Sequence, residues 1–314
     1  MEKRVICIVG PTASGKTAVG VQLAKRLGTE IVSADSVQVY RGMDIGSAKP
    51  DEEERDGVVH HMIDCIPIDN PDFSVSKYAS MAFPILDDML SRGQVPLVVG
   101  GSGLYISSIT DPLRFAIPAD PAIRKTLERE YGANPALLFE ELRQVDERTA
   151  HRLHPNDAKR VIRALEVYRC CGKPLSSFGN DFRNSEGRLP PYKAQLFGLR
   201  MERPLLYERI ERRVERMLAC GLLEEARAIY DKDYDRRLPA MQSIGYRQLF
   251  AFFDGVSTLE EAVESIKQET RRFAKRQMTW FRRDSRIQWV SADEKSAQEI
   301  TEEILVLLDR QGQE

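Results

Sequence analysis

The eight residues Gly10-Pro11-Thr12-Ala13-Ser14-Gly15-Lys16-Thr17 constrain this chain more than any others. They match G-x-x-x-x-G-K-[ST] and stand between an apolar, β-branched run at 5–9 and a helical pattern at 16–27. In a strand–turn–helix setting such glycines let backbone N–H groups curl around phosphate oxygens. The helix N-terminus adds partial positive charge. Lys16 adds a full charge, and the Thr17 hydroxyl is a ligand type for Mg²⁺. The motif predicts a site for a diphosphate or a triphosphate and is silent on the molecule that carries it.

The surrounding pattern predicts a sheet. A second candidate strand covers 30–34 and ends at Asp35, a helical pattern covers 78–91, and a third strand at 96–99 runs into Gly100-Gly101-Ser102-Gly103. Buried strands alternating with helices argue for a parallel sheet covered on both faces. Near Pro118 the character changes. Asp120-Pro121 is a helix start, with an N-cap followed by proline at N1, and the pattern stays helical to about 178. Asn156 is the expected cap of a helix through Arg160, Arg163 and Glu166, which Gly172-Lys173-Pro174 ends. The polar stretch 179–191 reads as a connection, and 195–199 as a strand returning to the sheet. Helices are expected over 205–220, 223–230 and 259–281. The expected fold is α/β: a P-loop NTPase-like parallel sheet core, residues 1–117 and 185–314, with helices on both faces, interrupted by an all-helical insertion domain at 118–184. The length, 314 residues, suits two domains.

Composition narrows the function classes. Hydrophobic residues make 42% and charged residues 30% of the chain, which allows a core without staples. The formal net charge of -2 does not announce a nucleic-acid binder, so any such role rests on local basic faces. Five cysteines (Cys7, Cys65, Cys170, Cys171, Cys220) form no C-x-x-C pair, which argues against a zinc ribbon and suits a reducing compartment. The first apolar run is too short to span a membrane, and no other stretch approaches that length. A cytoplasmic protein is expected. His60-His61 and His151-x-x-His154 lack a third ligand at metal spacing, and Cys170-Cys171 reads as packing.

One absence is informative. An ATPase usually ends a buried strand with a carboxylate that holds Mg²⁺, whereas 96–99 runs into glycines. The acid at a strand end is Asp35, in Ile31-Val32-Ser33-Ala34-Asp35-Ser36. Strand C-termini of an open parallel sheet meet at one edge, where ligands sit, so Asp35 is expected to face the phosphate loop. It can act there as a general base, as an indirect magnesium ligand, or as a turn cap.

Further motifs follow in order: Asp35-Ser36-Val37-Gln38-Val39-Tyr40-Arg41-Gly42-Met43-Asp44-Ile45-Gly46, Ala48-Lys49-Pro50, His60-His61-Met62-Ile63-Asp64, Gly100-Gly101-Ser102-Gly103-Leu104-Tyr105, His154-Pro155-Asn156-Asp157, Arg163-Ala164-Leu165-Glu166, Gly245-Tyr246-Arg247 and Arg276-Gln277-Met278-Thr279-Trp280-Phe281. Together with the phosphate loop, this series resembles the bacterial tRNA dimethylallyltransferases (isopentenyltransferases), from the first strand to about residue 289. The resemblance implies transfer of a dimethylallyl group from its diphosphate to N6 of adenosine 37 in tRNAs reading codons that begin with U. It implies Mg²⁺, no ATP hydrolysis, and a tRNA anticodon stem-loop and dimethylallyl diphosphate as partners; a monomer is expected. By the same resemblance Gly10, Pro11, Thr12, Ala13, Ser14, Gly15, Lys16, Thr17 and Arg213 bind the diphosphate, Thr17 ligates Mg²⁺, and Asp35 takes the N6 proton. Asp35, Ser36, Val37 and Gln38 correspond to a segment that touches tRNA. Ser102, where the family often has threonine, and Arg124 match single tRNA contacts. Lys159, Arg160, Val161, Ile162 and Arg163, and Gln242, Ser243, Ile244, Gly245, Tyr246 and Arg247, match segments on the anticodon stem-loop. The zinc finger of eukaryotic relatives has no counterpart here, and 291–314 carries no recognised motif.

The stretch 268–286 interleaves Arg271, Arg272, Lys275, Arg276, Arg282 and Arg283 with Phe273, Trp280 and Phe281. The arginines read as phosphate contacts and the aromatics as core. Arg41 and Lys49, in the loop beside Asp35, read either as contacts to RNA or prenyl diphosphate or as a solvated face. Rival functions are a P-loop small-molecule kinase making ADP, an adenylate isopentenyltransferase with a free-nucleotide acceptor, and a non-catalytic RNA-binding regulator. The basic segment 154–163 argues for the larger acceptor.

Overall fold

A computed structural model of the chain describes residues 3–71, 73–113, 120–178 and 190–311. In chain order it runs β1 (Arg4–Val9), α1 (Lys16–Leu27), β2 (Ile31–Ser33), α2 (Glu52–Arg55), β3 (His60–His61), α3 (Val75–Ser91), β4 (Leu97–Gly100) and α4 (Gly103–Thr110). The helices α5 (Pro121–Ala133), α6 (Pro135–Val145), α7 (Glu147–Ala150) and α8 (Ala158–Cys171) follow, with a 3-10 turn at Leu175–Phe178. Then come β5 (Lys193–Arg200), α9 (Arg203–Ala219), α10 (Leu222–Tyr230), α11 (Tyr246–Phe253), α12 (Leu259–Phe281), β6 (Gln288–Ser291) and α13 (Ala297–Gln311). Two compact units result: Met1–Thr110 with Pro191–Glu314, and Asp111–Pro190. The expected join at 118 and the connection at 179–189 lie outside the described residues.

The larger unit is built on one six-stranded sheet of order β3-β2-β4-β1-β5-β6, parallel at every pairing. Alternate residues of β1 go to opposite faces, as strand geometry requires. Val5, Cys7 and Val9 pack with Tyr78, Leu86, Ile106 and Ile109 of α3 and α4. Ile6 and Ile8 pack with Val19, Leu23, Ile300 and Ile304 of α1 and α13. Both faces are therefore covered, as the unbroken apolar strands imply. A third cluster gathers the 39–68 segment with α9, α10, α11 and α12 around Tyr246 and Met43. Thr258 and Glu261 form a capping box that starts α12 at the expected residue.

The smaller unit is helical throughout its described residues and has its own core around Leu127, Leu142, Val161 and Leu165. Asp120 caps α5 as expected, accepting from Ala122 N (2.9 Å) and Ile123 N (3.1 Å), with Pro121 at N1. The cap of α8 is Asp157 rather than Asn156. Its carboxylate accepts from Arg160 N, while Asn156 N donates to His154 Nδ1 (3.2 Å) in the turn before. Gly172, at φ 67°, ends that helix.

Glu30 ties the β2–β3 edge of the sheet together. Its carboxylate accepts from Arg92 Nη1 (2.7 Å) and lies 2.6 Å from His61 Nε2. The hydrogen bond to Arg92, and then that to His61, pull its pKa from 4.5 to about 2. A carboxyl held below its unfolded value stabilises the fold fully above that value and loses the contribution as pH falls through the folded one. Allowing for the partly exposed Arg92, Glu30→Gln is expected to cost about 1–2 kcal/mol near neutrality. The gap to wild type should close between pH about 4.5 and about 2, as read from urea titrations across that range. A gap that stays constant there would rule out the Glu30 charge as its source.

Candidate active site

The phosphate loop leaves the C-terminal end of β1 and enters α1. Gly10 has φ 148°, and a Cβ there would stand 2.7 Å from Leu199 O of the neighbouring strand, so glycine is required twice over. Ala13 takes a left-handed φ of 63°, a conformation that non-glycine residues adopt at a cost, often at functional turns. Pro11 O accepts from Ser14 Oγ (2.8 Å) and Lys16 Nζ (2.6 Å). The cap of α1, Gly15, offers no side chain, so the first N–H groups of this twelve-residue helix keep their polarity for a ligand.

Across the cleft stands Arg213 from α9, with Arg209 one turn before it and 3.6 Å from where a Gly15 Cβ would be. Burial, and then repulsion from Arg213, lower the Lys16 pKa to about 7 against the opposing attraction of Asp35. Burial likewise lowers that of Arg213, with Asp35 and Glu54 opposing. Asp35 is the one acid among the described residues lining the cleft. Two cations and one carboxylate in a desolvated space make a site for an anion.

Asp35 follows β2. Its Oδ1 accepts from Val37 N (2.8 Å) and Gln38 N (3.3 Å), so it caps the turn that follows; Oδ2 makes no hydrogen bond among the described residues. Capping thus occupies one oxygen of the carboxylate and leaves the other open. Ser36 is exposed and Val37 half-buried. Gln38 is held at both ends, accepting from Ser33 Oγ (3.0 Å) and donating to Ala48 O (3.1 Å). Ser102 Oγ accepts from Ser36 N (3.0 Å), placing that hydroxyl beside Asp35. Thr12, Lys16 and Thr17 share the cleft with Asp35, and Ile31, Pro50, Val99 and Phe273 supply apolar wall.

The other sequence-derived residues fall in distinct environments. Gly245 and Tyr246 are buried, and the Tyr246 hydroxyl donates to Glu225 Oε1 (2.6 Å). The Glu225 carboxylate also accepts from Asp44 N, Ile45 N (both 2.8 Å) and Gly46 N (3.0 Å), so it organises the loop before the cleft. Gln242 and Arg247 are exposed, Ser243 and Ile244 half-buried. In the smaller unit Lys159 and Arg160 are exposed, whereas Val161 and Ile162 belong to the core. Arg124 Nη2 (2.8 Å) and Arg163 Nη1 (2.7 Å) both donate to Glu166 Oε2, whose side chain is fully buried. A buried carboxylate with two arginines fixes both guanidinium groups.

Lys49 belongs to neither reading given for it. Its ammonium is buried, donating to Tyr40 O (3.0 Å) and pairing with Asp64 Oδ1 (2.5 Å) and Asp44, so it closes the loop rather than meeting solvent or ligand. On α12 the aromatics divide: Phe281 is core, Trp280 packs against it, and Phe273 lines the cleft. Arg271 and Arg272 are paired with Glu211, Glu264 and Glu269. Lys275, Arg276, Arg282 and Arg283 are exposed and make no ion pair among the described residues. His60 Nδ1 sits 2.9 Å from Val58 O, and His154 Nδ1 is taken by Asn156 N.

The sequence assigned no role to Arg209 or Glu225, nor to Gln277 within its motif 276–281. Arg209 carried a signal, lying four residues before Arg213 and so on its helical face. Glu225 and Gln277 act through contacts distant in sequence, and spacing does not reveal them.

The model of the IPP transferase family matches residues 38–284. A protein of Pelotomaculum thermopropionicum named tRNA dimethylallyltransferase is 46% identical over 94% of this chain and 95% of its own. The crystal structure of the full-length tRNA isopentenylpyrophosphate transferase of Bacillus halodurans is similar at 38% identity, covering 99% of each chain with a TM-score of 0.72. A eukaryotic dimethylallyltransferase captured acting on tRNA is similar at 26% identity over 93% of this chain and 75% of that one, with a TM-score of 0.79.

A lysine whose pKa is lowered is a charge the fold disfavours. The cost is full below pH about 7 and vanishes above 10.5, the ordinary lysine value. Lys16→Met is therefore expected to raise the Tm of the ligand-free protein at pH 6–7 by about 2–4 °C, an advantage that fades toward pH 10. Inorganic diphosphate with Mg²⁺ should raise the wild-type Tm and leave the variant nearly unmoved. A variant no more stable than wild type that still responds to diphosphate would remove Lys16 from the site.

Proposed function

The chain belongs to the IPP transferase family, and from that premise we propose that it moves a dimethylallyl group from dimethylallyl diphosphate to N6 of adenosine 37 in tRNAs reading codons that begin with U. The observation that carries this reading is the pairing of two half-buried cations, Lys16 and Arg213, with one carboxylate, Asp35, in a single cleft with apolar wall at Ile31, Val99 and Phe273. The cations suit a diphosphate, the apolar wall a prenyl chain, and the carboxylate an amine that must lose a proton.

In the reaction the allylic C–O bond breaks and the N6–C bond forms. The electron pair of the broken bond leaves on the diphosphate, and the N6 proton passes to Asp35. The N6 lone pair of adenine is delocalised into the ring, so taking the proton as the bond forms lowers the barrier, typically by about 10²–10⁴-fold. Oδ2 is the oxygen for this task, because Oδ1 already accepts from two backbone N–H groups. On the leaving side the loop N–H groups, Lys16 and Arg213 face the growing negative charge, and one such preorganised donor is worth on the order of 3 kcal/mol. Lys16 exchanges its bond to Pro11 O for a phosphate oxygen and regains its full charge.

Thr17 and Asp35 are oxygen donors in one cleft, and no three-residue cluster of His, Cys, Asp or Glu able to hold a metal occurs among the described residues. That set fits Mg²⁺, which keeps waters and substrate phosphates as ligands instead of an all-protein cage; when bound it neutralises charge on the diphosphate. The acceptor base leaves the loop stack of the anticodon stem-loop at a cost of a few kcal/mol. Exposed Ser36, Lys159, Arg160, Gln242 and Arg247, half-buried Ser102, and the fixed pair Arg124 and Arg163 are the groups proposed to hold that RNA. No described helix is long and apolar enough to cross a membrane. The same reading takes the protein as a monomer in the cytoplasm.

Labelled dimethylallyl diphosphate, Mg²⁺ and either unmodified tRNA or AMP test the assignment directly. Label is expected in tRNA. Label in AMP alone would overturn the acceptor, and rapid ADP formation from ATP would favour a kinase. Asp35→Asn keeps an oxygen for the turn N–H groups but cannot take a proton, so turnover should fall by about 10²-fold or more while tRNA binding persists. Unchanged turnover would remove Asp35 as the base.

A further inference from the structure

We infer that Gln277 is a positioning residue that sets the separation between the phosphate loop and Asp35. Its buried side chain lies on α12 and reaches both walls of the cleft. Oε1 accepts from Thr12 N (2.8 Å) in the phosphate loop, and Nε2 donates to Gly101 O (3.0 Å) in the turn after β4. The partners dictate the amide's orientation, because a backbone N–H can only donate and a carbonyl can only accept. The next residue, Ser102, grips the peptide groups on either side of Asp35. Its N–H donates to Ala34 O (3.0 Å) and its Oγ accepts from Ser36 N (3.0 Å). The path from donor cradle to base thus runs Thr12, Gln277, Gly101, Ser102, Asp35, with one side-chain amide bridging the gap.

The glycines of this turn support the assignment. A Cβ on Gly101 would stand 2.2 Å from Gln277 Nε2, and one on Gly103 would stand 2.3 Å from Trp280 Cδ1, one helical turn along α12. The turn is bare where α12 presses on it. Packing alone does not call for an amide at 277, since methionine fills a similar volume. What methionine lacks is the acceptor for the half-buried Thr12 N–H and the donor for the buried Gly101 carbonyl.

The inference rests on the proposed prenyl transfer for its kinetic readout. In single-turnover assays Gln277→Met is expected to slow transfer by about 10- to 100-fold, the scale of a sub-ångström to 1 Å misplacement, with half-saturating donor and tRNA within about threefold of wild type and a Tm lower by about 2–6 °C from the two lost hydrogen bonds. The glycine supplies a second arm. Gly101→Ala should be strongly impaired alone, yet add less than about twofold to Gln277→Ala, because the amide it collides with is gone. Transfer by Gln277→Met within twofold of wild type, or Gly101→Ala equally harmful in both backgrounds, would overturn the role. Backbone amide exchange in the free protein is independent of the reaction. Gln277→Met should speed exchange in 10–13 and 100–103 together and leave α13 unaffected. Unchanged exchange at either segment sinks Gln277 whatever the chemistry, whereas a wild-type protein that transfers no label sinks the chemistry alone.

Discussion

The physical constraint on which the rest of the structure depends is an excess of positive charge partly withdrawn from water. Lys16 and Arg213 share a cleft in which Asp35 is the one lining acid, and burial disfavours the charged form of both cations. A fold tolerates this when it is stable elsewhere and when a ligand restores the balance. Stability is supplied away from the cleft, by a sheet buried on both faces and by edge contacts such as Glu30 with Arg92 and His61. The geometry of the cleft is set by rigid pieces: the start of α1, a face of α9, and the ends of β2 and β4.

Three supporting contacts do for position what the cations do for charge. Gln277 joins the loop after β1 to the turn after β4, Ser102 joins that turn to both sides of Asp35, and Glu225 gathers the N–H groups of Asp44, Ile45 and Gly46 beneath Tyr246. Each satisfies backbone groups that no strand or helix satisfies, which is the requirement a buried loop must meet. This accounts for polar residues in motifs that never reach solvent. Tyr246 and Lys49 belong to that group, as supports of the site's walls.

How much was legible follows from how local each signal is. The phosphate loop was readable because strand, glycines and lysine are consecutive. The cap of α5 was readable because Asp120-Pro121 acts within four residues, and the pattern over 259–281 matched the limits of α12. The two-residue strand β3 and the edge strand β6 were not, since they exist through pairing with β2 and β5 and have no periodicity of their own. Helix α13 lies in a tail without motifs, yet its Ile300 and Ile304 close one face of the sheet. Asp157 displaced Asn156 as a cap because the turn at His154 takes the Asn156 N–H. Asp35 reads as base, indirect magnesium ligand or turn cap; its two oxygens occupy different surroundings, a distinction that one-dimensional information does not contain.

The charge of the chain shows the same limit on a larger scale. A formal net charge of -2 is a sum, and α12 shows what it conceals. Toward its N-terminal half Lys267, Arg271 and Arg272 are met by Glu215, Glu211, Glu264 and Glu269, so that surface is neutralised within the protein. Lys275, Arg276, Arg282 and Arg283 follow without such partners among the described residues, near the helix end where the dipole favours cations. Paired arginines have little to gain from a phosphate, because an existing bond must be exchanged; unpaired ones displace only counterions. Acids interleaved with one stretch of a basic helix and absent from the next therefore leave the net positive charge on the second, at no change in total charge.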